Sequence, residues 1–485
     1  MGSRLLGYLA AFACACSSNA PIAKDAPPAI ADAPAGPDLN DGARSGTRLK
    51  LTWFDFSDGA RQWDGFYDAE RKETCYIYRD WIDGKSYCAP DYGGSIVYTN
   101  ATCTAKAAEV YRDSGCAQPP LPYAMEWEYT PCDSHPAHLY TRAAKLSLAQ
   151  YYYKSSDGTC GGPYTTSASY EYYALGAEIP PTDLVEVTLG APVGSGRLAT
   201  RFYQSPDGMR LQGTVHDATL GTDCYPQIYA DGATTGSCAP NARYVGYDQD
   251  SACTQHKLSI NKQCAVPKYL VYYPTTACPA DPPQYYTIGT LVAGSPLFYN
   301  NGSSCVATTP STTNNYYRTG SELAVAPVER TIGTAGSRLQ LIHFGDAEGM
   351  SYRSYYLYDT QKQADCYPTK LPDGTTRCIA SGGYVSTFYR DSNCTQTLDV
   401  VEVDTGPTSC GAPSVPKFAR KYVTPTAGSC QYGTQVFTVS TPYVGPIYQD
   451  VGTCQPYTAI NAKLYSVGPQ VPLAEFVSAT SSIDP

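Results

Sequence analysis

The sequence predicts an all-β fold made of one six-cysteine unit repeated three times. Three observations carry this reading. Tyr occurs 44 times against 11 Phe and 4 Met, beside 42 Gly and 38 Pro. Aromatic residues favour half-buried pleated surfaces, and Gly and Pro favour the turns between short strands. Leu49, Leu51 and Trp53 alternate with Lys50 and Thr52, the period of a strand with one buried face. No long stretch shows the 3.6-residue period of a helix. The third observation is the repeat.

Its signatures can be written under one another. Cys75-Tyr76 corresponds to Cys224-Tyr225-Pro226 and Cys366-Tyr367-Pro368, and Cys88-Ala89-Pro90 to Cys238-Ala239-Pro240 and Cys378. Cys103-Thr104, Cys253-Thr254 and Cys394-Thr395 follow. In the second halves Cys116, Cys264 and Cys410 each precede a proline by three residues; Cys132, Cys278 and Cys430 come next, then Cys160, Cys305 and Cys454. Each unit closes on a glycine, Gly176, Gly320 or Gly468, before a last apolar strand. Eighteen cysteines fall in the units, and Cys14 and Cys16 complete the 20. The expected organisation is a signal peptide over 1–15, a Pro/Ala tether over 16–44, and repeats over 45–194, 195–336 and 337–485.

A weaker half-period appears inside each unit. The run from Tyr98 to Cys103 resembles that from Tyr153 to Cys160, and the run ending at Cys394 resembles the one ending at Cys454. Each repeat then reads as two antiparallel sheets. Six sheets in a ring would be a six-bladed β-propeller, which protects its strand edges by radial repetition. Three tandem β-sandwich domains are the alternative.

Twenty cysteines with only five His and no close C-x-x-C pairs argue for disulfides in an oxidising compartment rather than zinc. Six cysteines allow 15 pairings per unit. A local pattern is expected: Cys75–Cys88, Cys103–Cys116 and Cys132–Cys160, with Cys224–Cys238, Cys253–Cys264 and Cys278–Cys305, and Cys366–Cys378, Cys394–Cys410 and Cys430–Cys454. A two-residue turn at Asp83-Gly84 would set Arg79 rather than Cys75 opposite Cys88, so that hairpin needs a longer loop.

The N-terminus agrees on compartment. Arg4 precedes a short apolar run, Leu5 to Ala15, that is too short to span a bilayer and suits a signal peptide. Ala13-Cys14-Ala15-Cys16 resembles a lipobox with Cys16 as the lipidated residue, although Ala13 stands where Leu is usual. Ser17 after Cys16 fits outer-membrane sorting. The alternative is a plain secretory signal and a periplasmic or secreted soluble protein. Residues 17–44 hold too few large apolar side chains to fold alone. The membrane, through this lipid anchor, is one expected partner. The net charge of −10 disfavours nucleic acid.

Candidate chemistry is sparse. Asp68, Asp217 and Asp359 recur and could converge on a cation, but an Asp beside a turn more often caps backbone groups. His135 and His138 give two imidazoles without a placed third ligand, so no metal is expected, and no cofactor motif is present. All four Trp lie in the first repeat: Trp53, Trp63, Trp81 and Trp127. A residue set that breaks the repeat is where function is expected. Trp63 and Trp81, off the apolar strand faces, are the candidate ligand-binding residues, since aromatic faces give large contact areas.

From Arg48 onward the chain resembles uncharacterised Cys-rich repeat lipoproteins of bacteria that carry a domain of unknown function. The resemblance rests on the repeated Asp-Cys-Tyr-Pro, Cys-Ala-Pro and Cys-Thr signatures after a Pro/Ala tether. It implies location and fold and transfers no activity. Two functions are therefore carried forward: a non-enzymatic binding or structural module of the cell envelope that recognises glycan or protein, and a propeller hydrolase or lyase acting on extracellular polysaccharide.

Overall fold

A computed structural model describes residues 42–111, 121–155, 158–229, 233–274, 278, 281–300, 304–371, 373–405, 414–423, 433–459 and 462–485. Their strands form four sheets. One, of sixteen strands, draws on all three repeats. The other three each come from the second half of one repeat, over 94–179, 243–322 and 383–471.

The large sheet is built from three antiparallel four-strand meanders. The first repeat supplies Leu49–Phe56, Arg61–Asp68, Glu73–Tyr78 and Tyr87–Pro90. The second supplies Leu198–Gln204, Arg210–Asp217, Thr222–Gln227 and Thr235–Pro240, and the third Leu339–Gly345, Ser351–Asp359, Ala364–Lys370 and Thr376–Ala380. A strand at the end of each repeat stitches its meander to the next one. Pro327–Gly333 pairs with Thr235–Pro240 on one side and Leu339–Gly345 on the other. Ser478–Ile483 pairs with Thr376–Ala380 and with Leu49–Phe56, returning the C-terminus to the first strand. Val185–Glu186 and Thr188–Leu189 join the first repeat to the second, interrupted only at Val187. The ladder thus closes on itself, which removes the free edges that invite aggregation.

Each repeat does divide between two sheets, but not along its half-period: the two similar hairpins lie together in the sheet of the second half. The first halves, however, are hydrogen-bonded edge to edge instead of standing as six separate blades, and the shared sheet equally replaces the three tandem sandwiches. Alternating apolar runs specify which face is buried, but they do not say whose strand lies at the edge.

Closure is reinforced cyclically by packing. The core of the first meander (Leu49, Leu51, Trp53, Phe66) takes in Met209 and Leu211 of the second repeat. The core around Leu198 and Val215 takes in Met350 of the third, and the core around Leu339 and Leu357 takes in Phe54, Phe56 and Ala60 of the first. The turn carboxylates follow the same order. Asp207 accepts the backbone N–H groups of Arg48 and Leu49, each at 2.7 Å. Asp58 accepts those of Arg338 and Leu339 at 3.0 and 2.6 Å, and Glu348 accepts that of Arg197. Each repeat is therefore capped by the Asp-Gly or Glu-Gly turn of another. Gly46 faces Asp207 so closely that a Cβ would lie 2.2 Å from its carboxylate.

Three disulfides match the local expectation and lie in the meander cores: Cys75–Cys88, Cys224–Cys238 and Cys366–Cys378. The loop between Tyr78 and Tyr87 is indeed longer than two residues, and Cys88 sits opposite Ile77. The other expected pairs are corrected. Cys103 bonds Cys160, not Cys116; Cys253 bonds Cys305, not Cys264; Cys394 bonds Cys454, not Cys410. The reason is register: Tyr98 pairs with Tyr152, and Tyr389 with Tyr448, so the two similar hairpins of a repeat lie side by side and their tips meet. In place of Cys132–Cys160, Cys132 crosses into the second repeat and bonds Cys264. Cys278 is disulfide-bonded, but not to Cys305, whose partner is Cys253. Cys430 cannot hold Cys454 for the same reason. Cys116, Cys410 and Cys430 lie outside the described residues, as do Cys16 and the tether up to residue 41.

The Cys-Thr signature has a local cause. Asn100 accepts the N–H groups of Thr104 and Ala105, and Asp250 and Asp391 do the same for Thr254-Gln255 and Thr395-Gln396. The intervening Cys103, Cys253 and Cys394 adopt positive φ of 50–55°, a conformation the side-chain cap helps to hold.

Candidate functional site: an aromatic track across the first and third repeats

The recurring aspartates serve architecture. Asp68 accepts from the Arg48 guanidinium at 3.0 and 2.7 Å and from the backbone N–H groups of Glu70 and Arg71. Asp217 with Arg197 and Asp359 with Arg338 repeat that arrangement. Each carboxylate is spent on its own repeat's arginine and turn.

The tryptophans separate into core and surface. Trp53 is 1% exposed, and its indole N–H donates to Asp484. Trp81 is also 1% exposed, with its N–H on the Ala137 carbonyl at 3.0 Å. It packs between Tyr87, Met125 and Leu139 and cannot form part of a surface patch. Its position beside a turn hid a core role, because the second half of its own repeat covers it. Trp127 is partly buried and donates to the Tyr92 hydroxyl. Trp63 is the partly buried one that meets aromatic side chains of another repeat.

Trp63 stands edge-on to Phe66 and to Tyr355 of the third repeat, at 5.8 and 6.4 Å between ring centroids. Tyr355 continues to Tyr356, and Tyr356 to Tyr367, at 6.5 and 5.7 Å. The Arg420 guanidinium lies 4.7 Å from the Tyr367 ring and 5.1 Å from that of Tyr384, which stacks on Tyr422 at 6.0 Å. These side chains form a continuous line. Tyr355, Tyr356, Tyr384 and Tyr422 are 40–55% exposed, so much of the line is open to solvent.

Its two ends differ in charge. Beside Trp63, burial raises the Asp64 carboxyl to about 6, opposed by Lys370. The same surroundings, with the Asp64 charge, push the Tyr355 phenol up. At the other end Arg420 is 6% exposed and burial lowers its pKa.

Histidine–carboxylate pairs occur elsewhere. His138 meets Glu178 at 2.6 Å, His216 meets Asp223 at 3.0 Å, and His256 meets Asp248 at 2.6 Å. The last is the most buried and is stacked under Tyr272 at 3.6 Å. The corresponding sheets of the first and third repeats carry Lys106–Glu126 and Lys421–Asp399, so the His–Asp pair occupies a cross-strand ion-pair region of the repeat. His135 instead contacts the Asp80 carbonyl. An open recess of about 440 Å³ between Pro282, Tyr285 and Leu323 includes Asp281 and Glu322 but no histidine.

The track escaped the sequence reading except for Trp63, yet a signal existed. Tyr355-Tyr356 replaces Asp64-Gly65 and Gly213-Thr214 at the same distance before the recurring Asp. Arg420 replaces Met125 and Val271. Among the described residues no helix is long and apolar enough to cross a membrane. No curated protein and no solved structure matches the chain. The family comparison, in contrast, covers nearly all of it: through residues 29–476 the chain belongs to the Family of unknown function (DUF7481).

Proposed function

We propose that the protein is an exported binding module, held at the cell envelope by a lipid on Cys16, which grips an extracellular glycan along the track from Trp63 to Tyr422. The supporting observation is the line of exposed aromatic rings shared by two repeats and absent from the repeat pattern itself. Aromatic faces stack on sugar rings with large contact area and little conformational cost. The closed, disulfide-stapled sheet is a rigid platform for them, which limits the entropy lost on binding, and so many disulfides suit an oxidising location.

A glycan array read with the wild type, Trp63→Ala and Tyr355→Ala tests this. Binding by the wild type that drops about tenfold or more in both variants is expected, from roughly 1.5 kcal/mol per stacked ring. Equal binding by all three, or none, rejects the track. For the anchor, Cys16→Ala is expected to move the protein from the membrane to the soluble fraction. An unchanged soluble distribution would instead indicate a plain signal peptide.

A further inference from the structure

Arg420 is an element of the track that the other two repeats fold without. Its strand, Phe418–Val423, runs parallel to Gly383–Tyr389 with Arg420 opposite Tyr384. The same register holds Met125 opposite Ser95 in the first repeat and Val271 opposite Tyr244 in the second. Both are buried, at 1% and 8% exposure. An apolar side chain therefore satisfies this position twice, and the third repeat places a cation there.

Among the described residues that cation has no counter-ion. Arg48, Arg197, Arg201, Arg330 and Arg338 each pair with an aspartate. The Arg420 Nε and Nη1 atoms are buried with no hydrogen-bond partner, and Nη2 reaches only the Tyr384 hydroxyl, at 3.3 Å. Tyr422 and Tyr356 are the groups that act on its charge, and no carboxylate among the described residues does. Two tyrosine rings offset part of the cost of burying the guanidinium, but an unpaired buried charge remains expensive. A planar fork of donors is suited to a carboxylate.

We propose that Arg420 is an anion subsite at one end of the track and that the ligand is an acidic glycan. A uronic-acid ring lies against the exposed Tyr384 and Tyr422, and its carboxylate takes the place of the Tyr384 hydroxyl on the guanidinium. This rests on the aromatic-track reading above and adds the ligand's charge. The chain's overall −10 opposes long polyanions, so the selectivity is local and is best seen with short oligomers.

The test is calorimetric titration with trigalacturonate and with the neutral galactotriose, for the wild type, Arg420→Met and Arg420→Lys. Arg420→Met installs the side chain that the first repeat carries at this position and is expected to fold, which circular dichroism checks. The wild type is expected to prefer the acidic sugar by about tenfold, and less at about 0.5 M salt. Arg420→Met loses that preference and binds the two sugars equally, and Arg420→Lys retains part of it. Equal affinity of the wild type for both sugars, or an undiminished preference in Arg420→Met, overturns the subsite and leaves the track standing. Failure of the wild type to bind either sugar overturns both.

Discussion

The cyclic carboxylate caps make the central sheet testable as a single cooperative object. Asp207→Ala removes the acceptor of two backbone N–H groups at 2.7 Å. One belongs to Leu49, which is 0% exposed and cannot turn to water. A hydrogen bond to a charged group contributes about 1.5–3 kcal/mol, and a donor left buried costs a similar amount. Arg48 N–H is less deeply placed and recovers part of its loss in water. The expected destabilisation is about 2–4 kcal/mol, read as a lower guanidinium midpoint at unchanged slope with the disulfides intact. Asp373→Ala is the control, because that carboxylate caps only its own turn at Thr375. The two sites also predict a pH effect. Burial alone would raise the Asp207 pKa, but Ser205 and the N–H groups of Leu49 and Arg48 bring it below the ordinary value. Its stabilisation is therefore complete above about pH 4 and disappears as pH falls through the lowered folded value. An Asp207→Ala midpoint no lower than that of Asp373→Ala would refute the idea that these turns bind the repeats together.

Other expectations are independent of that ring. Because the Asp64 carboxyl is raised to about 6, the folded state holds this proton more tightly than the unfolded chain. The group's contribution is most favourable below about pH 4 and worsens up to about pH 6. Asp64→Asn should then be the more stable form at pH 7, by about 2 kcal/mol, and parallel stability–pH curves for the two proteins would contradict this. Trp81→Ala should cost about 3–5 kcal/mol in denaturant titrations, as a buried Trp does, whereas Trp63→Ala should cost about 1 kcal/mol; equal losses would reverse their assignment to core and surface. Peptide mapping without reduction should recover Cys103–Cys160 and the inter-repeat Cys132–Cys264, and a Cys132–Cys160 peptide would refute the crossing.

How the repeats join was the part the chain concealed. The six-cysteine unit, its strands and its half-period are local facts, set by alternation and turn chemistry. Ring closure depends on non-local pairing of short segments such as Val185–Glu186 and Ser478–Ile483, which in isolation look like any strand. The cysteines misled for a related reason. Sequence proximity suggested Cys103 with Cys116, but the pairing of Tyr98 with Tyr152 brings a hairpin more than fifty residues away to the same end of the sheet. Only the hairpin disulfides, whose partners share adjacent strands, were legible.

The site was legible as a rule rather than as residues. In a threefold repeat a side chain present three times answers to the architecture, and Asp68, Asp217 and Asp359 do so through their arginines. Function has to be sought where one repeat departs from the other two. Applied to residue type alone, that rule selects every tryptophan and so includes the buried Trp81. Applied position by position, it selects Tyr355 and Tyr356 where the other repeats have Asp-Gly and Gly-Thr, and Arg420 where they have Met125 and Val271. The second form is the stronger because it compares side chains in one structural environment. Whatever Arg420 adds cannot be the packing that Met125 and Val271 already supply, and the cost of burying an unpaired guanidinium has to be recovered elsewhere.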